Sequence, residues 1–404
     1  MRILIATAGS RGDVAPYTGL GAALAAAGHE VTLATTDAFA PLAQGAGLGF
    51  RRLPADPRGH GRGGSGRELM RTAAAFVTEL GRGFADAVAE GTDLLLLSAT
   101  TAPLGWHLTE ATGTPSLGVY LQPAAATGDF PPVITAMRSL GRAGNRAAGR
   151  FALRMADRVF APAVTELRRD LGLPPLSAVA MRRRRERENW PVLHGFSTAL
   201  VPRPADWRPG LEVAGTFWPH VGPDEHLPGA VEDFLRAGPR PVLVGFGSMA
   251  NGEGERLSEI AVQALRRAGL RGILQSGAAG LAADGDDVLT IGDTPHALLM
   301  PRLAAAVHHA GAGTAAAALR AGIPSVPVPV MADQPFWAAR LAAIGAACEP
   351  VPFSGLSAGR LAEALARVVR QQSYSRAAAT AAAHLAGEDG AARVVKAVEP
   401  LAHR

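Results

Sequence analysis

Short apolar runs alternate with longer segments of helical period along this chain, and glycine or proline marks most boundaries. Residues 2–7 form one such run, closed by Gly9. An apolar run of that length, bounded by turn residues, predicts a buried parallel strand. A glycine-bearing loop then leads through Asp13 to a predicted helix over 16–27, with Pro16 near its first turn and Gly28 as its stop. Residues 30–35 supply the next strand and complete a βαβ opening. The alternation continues through strands at 93–98 and 115–121. It restarts with a strand at 240–248 that runs into a glycine loop, followed by a helix over 255–268. Further strands are predicted at 272–275, 288–291, 304–309 and 325–328. Repeated βα units argue for parallel sheets with helices on both faces. Between the halves, residues 216–228 are rich in Pro, Gly and His and show no clear period.

The architecture this predicts is α/β, with two Rossmann-like, doubly wound domains facing a cleft where a ligand would sit. The predicted boundaries are 1–217 for the first domain, 218–230 for a linker and 231–385 for the second domain. A C-terminal helix within 386–404 is expected to pack back on the first domain. A length of 404 residues with 48% hydrophobic content suits two cores. The formal net charge of +5 is small and spread along the chain, which gives no support to a nucleic-acid partner. Cys348 is the only cysteine, so no intrachain disulfide or cysteine-based metal site is possible. No charged-then-apolar leader opens the chain, and its apolar runs are too short to span a bilayer. The expected location is cytoplasmic. Three segments break the regular pattern: a Gly/Arg loop at 56–67, a proline-bearing loop at 122–132 and a charged run at 181–188 with RRRRERE at its core. The charged run reads as a solvated helix face or loop, with an anionic-acceptor or membrane-surface patch as the alternative.

The chemistry is most legible at residues 307–314, VHHAGAGT, followed by an alanine run and then Asp333-Gln-Pro335. This reads as a strand end, a glycine turn and a helix start, with a second helix start soon after. Helix N-termini carry unpaired N–H groups and partial positive charge, which suits a diphosphate. The acid–amide pair at the next helix mouth could hold sugar hydroxyls. The first loop, Gly9-Ser-Arg-Gly-Asp13, spaces its glycines as G-x-x-G rather than G-x-G-x-x-G, which disfavours an NAD enzyme. No P-loop lysine is present.

These motifs, taken in order, resemble the family 1 glycosyltransferases of GT-B fold, in the branch of bacterial antibiotic and sterol-type enzymes. The resemblance rests on Gly9-Ser-Arg-Gly-Asp-Val14, Gly28-His-Glu-Val-Thr32, Leu193–Pro202 with Pro204-Ala-Asp-Trp207, Pro241–Met249, His308–Thr314 and Asp333-Gln-Pro335. It covers essentially the whole chain. It implies a nucleotide-diphosphate sugar donor, UDP- or dTDP-linked, bound mainly by the second half. It further implies diphosphate contacts from His309, from the Gly311 and Gly313 backbone and from Thr314, and places Ser248 near the phosphates. Asp333 and Gln334 would hold the donor sugar, and residues 292–296 the base. Ser10 and Arg11 would adjoin the diphosphate in such a site, with a solvated turn as the alternative.

Asp13 would be the general base that deprotonates an acceptor hydroxyl. Each of these residues also has a structural reading: Asp13 as N-cap of the Pro16 helix, His309 at a strand end, the glycines in a plain turn, Ser248 as a turn serine, and Asp333 with Gln334 in ordinary capping. Thr314 would cap a helix over 315–320 in either case. A carboxylate at its ordinary pKa is a weak base for an alcohol, but late proton transfer or burial would help it. The expected reaction is therefore a single displacement that inverts the anomeric carbon, without metal or cofactor. Asp284-Gly-Asp286 reads as a surface turn. The expected acceptor is a hydrophobic natural product such as a polyketide, macrolide, terpenoid or sterol-like alcohol. An accessory activator or a homodimer stays open. The alternatives are a nucleotide-sugar epimerase on the same fold or a non-catalytic auxiliary protein.

Overall fold

The computed structural model describes residues 1–54, 66–135, 138–247, 252–283 and 285–401. Ser248, Asp284 and residues 56–65 of the Gly/Arg loop lie outside them. The first half is built on strands β1 (Arg2–Ala6), β2 (Glu30–Thr35), β3 (Gly49–Arg52), β4 (Leu94–Leu97), β5 (Ser116–Tyr120), β6 (Val192–His194) and β7 (Leu211–Val213). They form a parallel sheet in the order β3-β2-β1-β4-β5-β6-β7. Every residue of β4 is fully buried, as expected for a central strand covered on both faces. The second half carries β8 (Val242–Gly245), β9 (Gly272–Gln275), β10 (Val288–Ile291), β11 (Ala305–His308) and β12 (Ser325–Pro327), in the parallel order β10-β9-β8-β11-β12. The two-domain α/β expectation is met. Strands β3, β6 and β7, with the sequences GFRR, VLH and LEV, went unpredicted because none contains an apolar run longer than two residues. β3, with the sequence GFRR, carries two arginines and is held by pairing to β2.

The first-half helices are α1 (Arg11–Ala26), α2 (Ala40–Gly45), α3 (Gly66–Ala89), α4 (Ala102–Thr112), α5 (Gly141–Asp170) and α6 (Ala178–Arg187). The charged run belongs to α6. It is only partly solvated, because Arg182 pairs with the buried Asp157 at 2.9 Å and Arg185 donates to the Trp106 carbonyl at 3.2 Å. The second-half helices are α7 (Gly229–Arg236), α8 (Gly254–Ala268), α9 (His296–Leu299), α10 (Ala312–Arg320), α11 (Gln334–Ala343) and α12 (Ala358–Arg370). After α13 (Gln372–Ala386), α14 (Gly390–Val398) lies against α1, with Val394 and Val398 in the same core as Ile3 and Leu24. Gly390 abuts the Gly215 carbonyl so closely that a Cβ there would collide with it.

Helix α1 begins five residues earlier than the sequence suggested. Ser10 is its N-cap and Asp13 stands at N3, so Asp13 is not the cap, and Pro16 lies inside the helix. The Ser10 backbone N–H and hydroxyl both donate to Asp13 Oδ2, at 2.7 and 2.9 Å. That reciprocal contact starts the helix ahead of the proline. Likewise Gly311, not Thr314, is the N-cap of α10, which starts at Ala312.

Each sheet has one topological switch point. In the first it falls between β1 and β4, and in the second between β8 and β11. Ligands of doubly wound folds bind beyond the carboxyl ends of the strands at such points. The first turn of α1 carrying Asp13 and the β11–α10 turn carrying His309 are therefore where each half would be expected to bind.

Candidate active site

The two switch points meet across a narrow crevice lined by Gly12, Pro16, Phe196, Phe217, Ala312 and Trp337. Its first two residues flank Asp13, and Ala312 follows the His309 turn. Most of the wall is apolar. Among the contacts that close it are Phe196 against Trp337, with ring centroids 5.9 Å apart, and Phe130 against Phe336 at 5.2 Å. Arg340 lies over both rings of the second pair.

Asp13 is half-buried. Burial lifts its carboxyl above the ordinary carboxylate range; the two Ser10 donors oppose this, and the negative charge of Asp333 adds to it. Gly9 makes the arrangement possible, since a Cβ on it would overlap the Asp13 carboxylate. Across the cleft, Asp333 is the N-cap residue of α11, and its Oδ2 accepts from Trp337 Nε1 at 2.7 Å and from Gln122 Nε2 at 3.0 Å. Burial raises its carboxyl too, against those donors. Gln122 is a site residue the sequence did not flag. It stands just beyond β5, and only the closed cleft brings it to Asp333.

The Gln334 side chain is buried and partly engaged within its own loop. Its Oε1 accepts from the backbone N–H groups of Val330 and Met331 at 2.8 and 3.1 Å, which braces the loop before α11. Arg11 reaches across the cleft mouth to Asp293 at 3.2 Å, with both side chains largely exposed. Thr314 makes no capping bond. Ser248 lies outside the described residues.

The tandem histidines diverge. His308 is buried, accepts from Ala310 N at Nδ1 (3.1 Å) and so donates from Nε2 to Ser325 Oγ (3.0 Å). It braces the turn. The half-buried His309 ring is held between Gly247 and Gly311; a Cβ on either glycine would stand 2.6 Å from a ring atom. Gly311 thus makes room for the histidine, while Gly313 faces open space. Burial, and next the neighbouring His296, push His309 down to about 4, although the Gly245 carbonyl favours its protonated form. The Nδ1 atom makes no hydrogen bond of good geometry. At neutral pH His309 is therefore a neutral donor. His296, also lowered to about 4 by burial, contacts Gln275 Oε1 at 3.2 Å.

Ala310 and Ala332 both hold left-handed backbone, with φ of 60° and 57°. Each such residue costs about 1–3 kcal/mol, and strain of this kind clusters where a site over-determines the chain. Here the two alanines flank His309 and Asp333.

The loop at 122–132 is held by Asp206, another residue given no role from sequence. Its carboxylate accepts from Thr127 Oγ1 at 2.6 Å, Gly128 N at 2.8 Å and Arg146 Nη2 at 2.5 Å. Burial opposes the charge, but these three donors hold the carboxyl well below its usual range. Its stabilising contribution is present above about pH 4, the unfolded carboxylate value. It is lost as pH falls through the lower folded value. Asp206→Asn should cost about 1–3 kcal/mol at neutral pH. Urea unfolding should show that deficit shrinking in acid; an equal midpoint at neutral pH would contradict it.

The comparisons with known proteins agree with this geometry. A family model described as the erythromycin biosynthesis protein CIII-like C-terminal domain matches residues 274–401, and the glycosyltransferase family 28 N-terminal domain matches residues 3–87. The chain is 39% identical over 393 residues to O-mycaminosyltylonolide 6-deoxyallosyltransferase of Streptomyces fradiae, covering 92% of this chain and 89% of that protein. It is 30% identical to the sterol 3-beta-glucosyltransferase UGT80A2 of Arabidopsis thaliana, covering 98% of this chain but 65% of the relative. Among solved structures, the spinosyn rhamnosyltransferase SpnG in complex with thymidine diphosphate superposes with a TM-score of 0.66 at 20% identity, covering 99% of this chain and all of that one. The two facing parallel-sheet domains, the switch-point crevice and the similarity along nearly the full chain lead to one assignment: the protein belongs to the GT-B glycosyltransferases of the antibiotic and sterol type.

Proposed function

We propose that this glycosyltransferase moves a sugar from a thymidine or uridine diphosphate donor to a hydroxyl of a hydrophobic natural product, by one inverting displacement. The observation that carries this is the facing of Asp13 and Asp333 across an apolar crevice, with His309 and the start of α10 beside it. In this reading Asp13 takes the acceptor proton, and its raised pKa makes it a better base than an exposed carboxylate. Asp333 holds the donor sugar, exchanging its bond from Gln122 for one from a sugar hydroxyl. The leaving diphosphate meets the neutral His309 N–H, the α10 N-terminus and Arg11, released from Asp293. Thr314 and the Gly313 backbone complete that cradle. No step in this scheme calls on a metal.

Two observations support the choice of ligands. SpnG is known in complex with thymidine diphosphate and with spinosyn aglycone. Leu121, Phe196, Phe217 and Trp337 give this crevice an apolar lining suited to a lipophilic acceptor.

The test is a matrix of dTDP- and UDP-sugars against lipophilic alcohols, read by mass spectrometry, with and without EDTA. Expected products are single glycosides of inverted configuration, unaffected by chelation. Nucleotide release without glycoside, or neither with any pair, would remove the transferase reading. Asp333→Asn adds a second prediction. Removing that charge lets Asp13 ionise more easily, so the acid limb of the kcat/KM profile should move to lower pH. An unmoved limb would mean the limb does not report Asp13.

A further inference from the structure

Four large apolar side chains stand out as exposed among the described residues: Ile134, Leu140, Phe151 and Met331. Three of them fall within one segment of the first half. Leu140 is the N-cap residue of α5, and Ile134 lies in the loop before it. Phe151, 62% exposed, stands on the helix itself. At about 100° per residue, Leu140, Ala147, Phe151, Arg154, Arg158 and Pro162 share one stripe roughly 80° wide. All six are exposed.

The charge of this face is one-sided. Residues 141–165 contain five arginines and a single acid, Asp157, which is buried against Arg182. Arg142 and Arg146 are spent on Asp129 and Asp206. Among the described residues, Arg150, Arg154 and Arg158 have no carboxylate partner. Helix α6, packed alongside α5, adds the exposed Arg183 and Arg187, also without one among the described residues.

We propose that α5, flanked by α6, is a docking surface for an anionic phospholipid membrane. Single apolar anchors set among long arginines on one helix stripe have the form of an interfacial helix. The apolar groups enter the headgroup region while the guanidinium groups pair with lipid phosphates. The position of the stripe gives the docking a use. The start of α5 is bolted to the loop at 122–132 through Asn145 on the Gly128 carbonyl and Arg142 on Asp129. On the proposed function, a lipid-dissolved acceptor would then leave the membrane beside the loop that borders the crevice.

The full chain, without donor or acceptor, should co-sediment with vesicles of phosphatidylcholine mixed with phosphatidylglycerol, and not with phosphatidylcholine alone. Added salt should weaken the binding. At the usual contribution of each basic residue near an anionic surface, the triple variant R150E/R154E/R158E should lose at least about a hundredfold in partitioning. Phe151→Ser should lose about tenfold. Circular dichroism and donor hydrolysis in solution should match the parent, which separates docking from folding and catalysis. The proposal is overturned if anionic vesicles bind no better than neutral ones or if the triple variant binds as well as the parent. It is equally overturned if the face proves to be a protein interface, seen as a concentration-dependent dimer in light scattering that the same variants abolish.

Discussion

Replacement of Asp13 by asparagine should lower the transfer rate by about 10²–10⁴-fold, the usual contribution of a positioned general base, with donor binding nearly unchanged. The geometry predicts an accompanying gain in stability. Burial holds this carboxyl above its unfolded value. Its contribution is therefore fully favourable only below about pH 4 and is lost as pH rises through the folded value. Above that folded value the ionised Asp13 weakens the fold. Asparagine keeps an oxygen to accept from the Ser10 N–H, without the charge. The variant should therefore melt no lower than the parent, and higher if the capping contact persists. A site that trades stability for a reactive group behaves this way. Full transfer by Asp13→Asn at normal donor affinity would exclude Asp13 as the base.

The second large effect concerns His309. His309→Ala should reduce kcat by about 10²–10³-fold, the typical loss on removing one preorganised donor to a developing charge. Gly311→Ala should reproduce part of that loss without touching the ring chemically, because its Cβ would stand 2.6 Å from His309 Nε2 and force the ring to move. With the imidazole pushed down to about 4, the free enzyme should show no titration of this residue near the ordinary histidine value of about 6.5. A limb near 6.5 in kcat/KM that disappears in His309→Ala would show that the ring works as a cation instead. Wild-type rates in both variants would remove the diphosphate role.

The periodicity of the chain was enough for its architecture. Apolar runs such as the LLLL of β4 are buried on both faces, and a strand in that position has few other compositions open to it. The same reading located the glycine turn after β11 and the loop after β1, because glycine and proline act locally. It missed β3, β6 and β7, whose stability comes from pairing with a neighbour. It also misplaced the starts of α1 and α10. A cap is set by where the backbone passes from extended to helical, and that change falls at Ser10 and Gly311 rather than at the residues chosen by propensity.

What the sequence determined by itself was the order of elements, two parallel-sheet halves and the family resemblance, all properties of short segments read in order. The tertiary structure alone decided how those segments act on one another. It brought Gln122 to Asp333, turned Gln334 Oε1 back onto its own loop and paired Arg11 with Asp293. It gave Gly311 the task of housing the His309 ring, and it moved the carboxyls and imidazoles from their ordinary pKa values by burying them. Among the described residues it also left Arg150, Arg154 and Arg158 without an acid, when Arg142 and Arg146 on the same helix found one. Each of these outcomes depends on distances between residues far apart in the chain, and on the loss of water around them. Neither quantity is carried by local sequence.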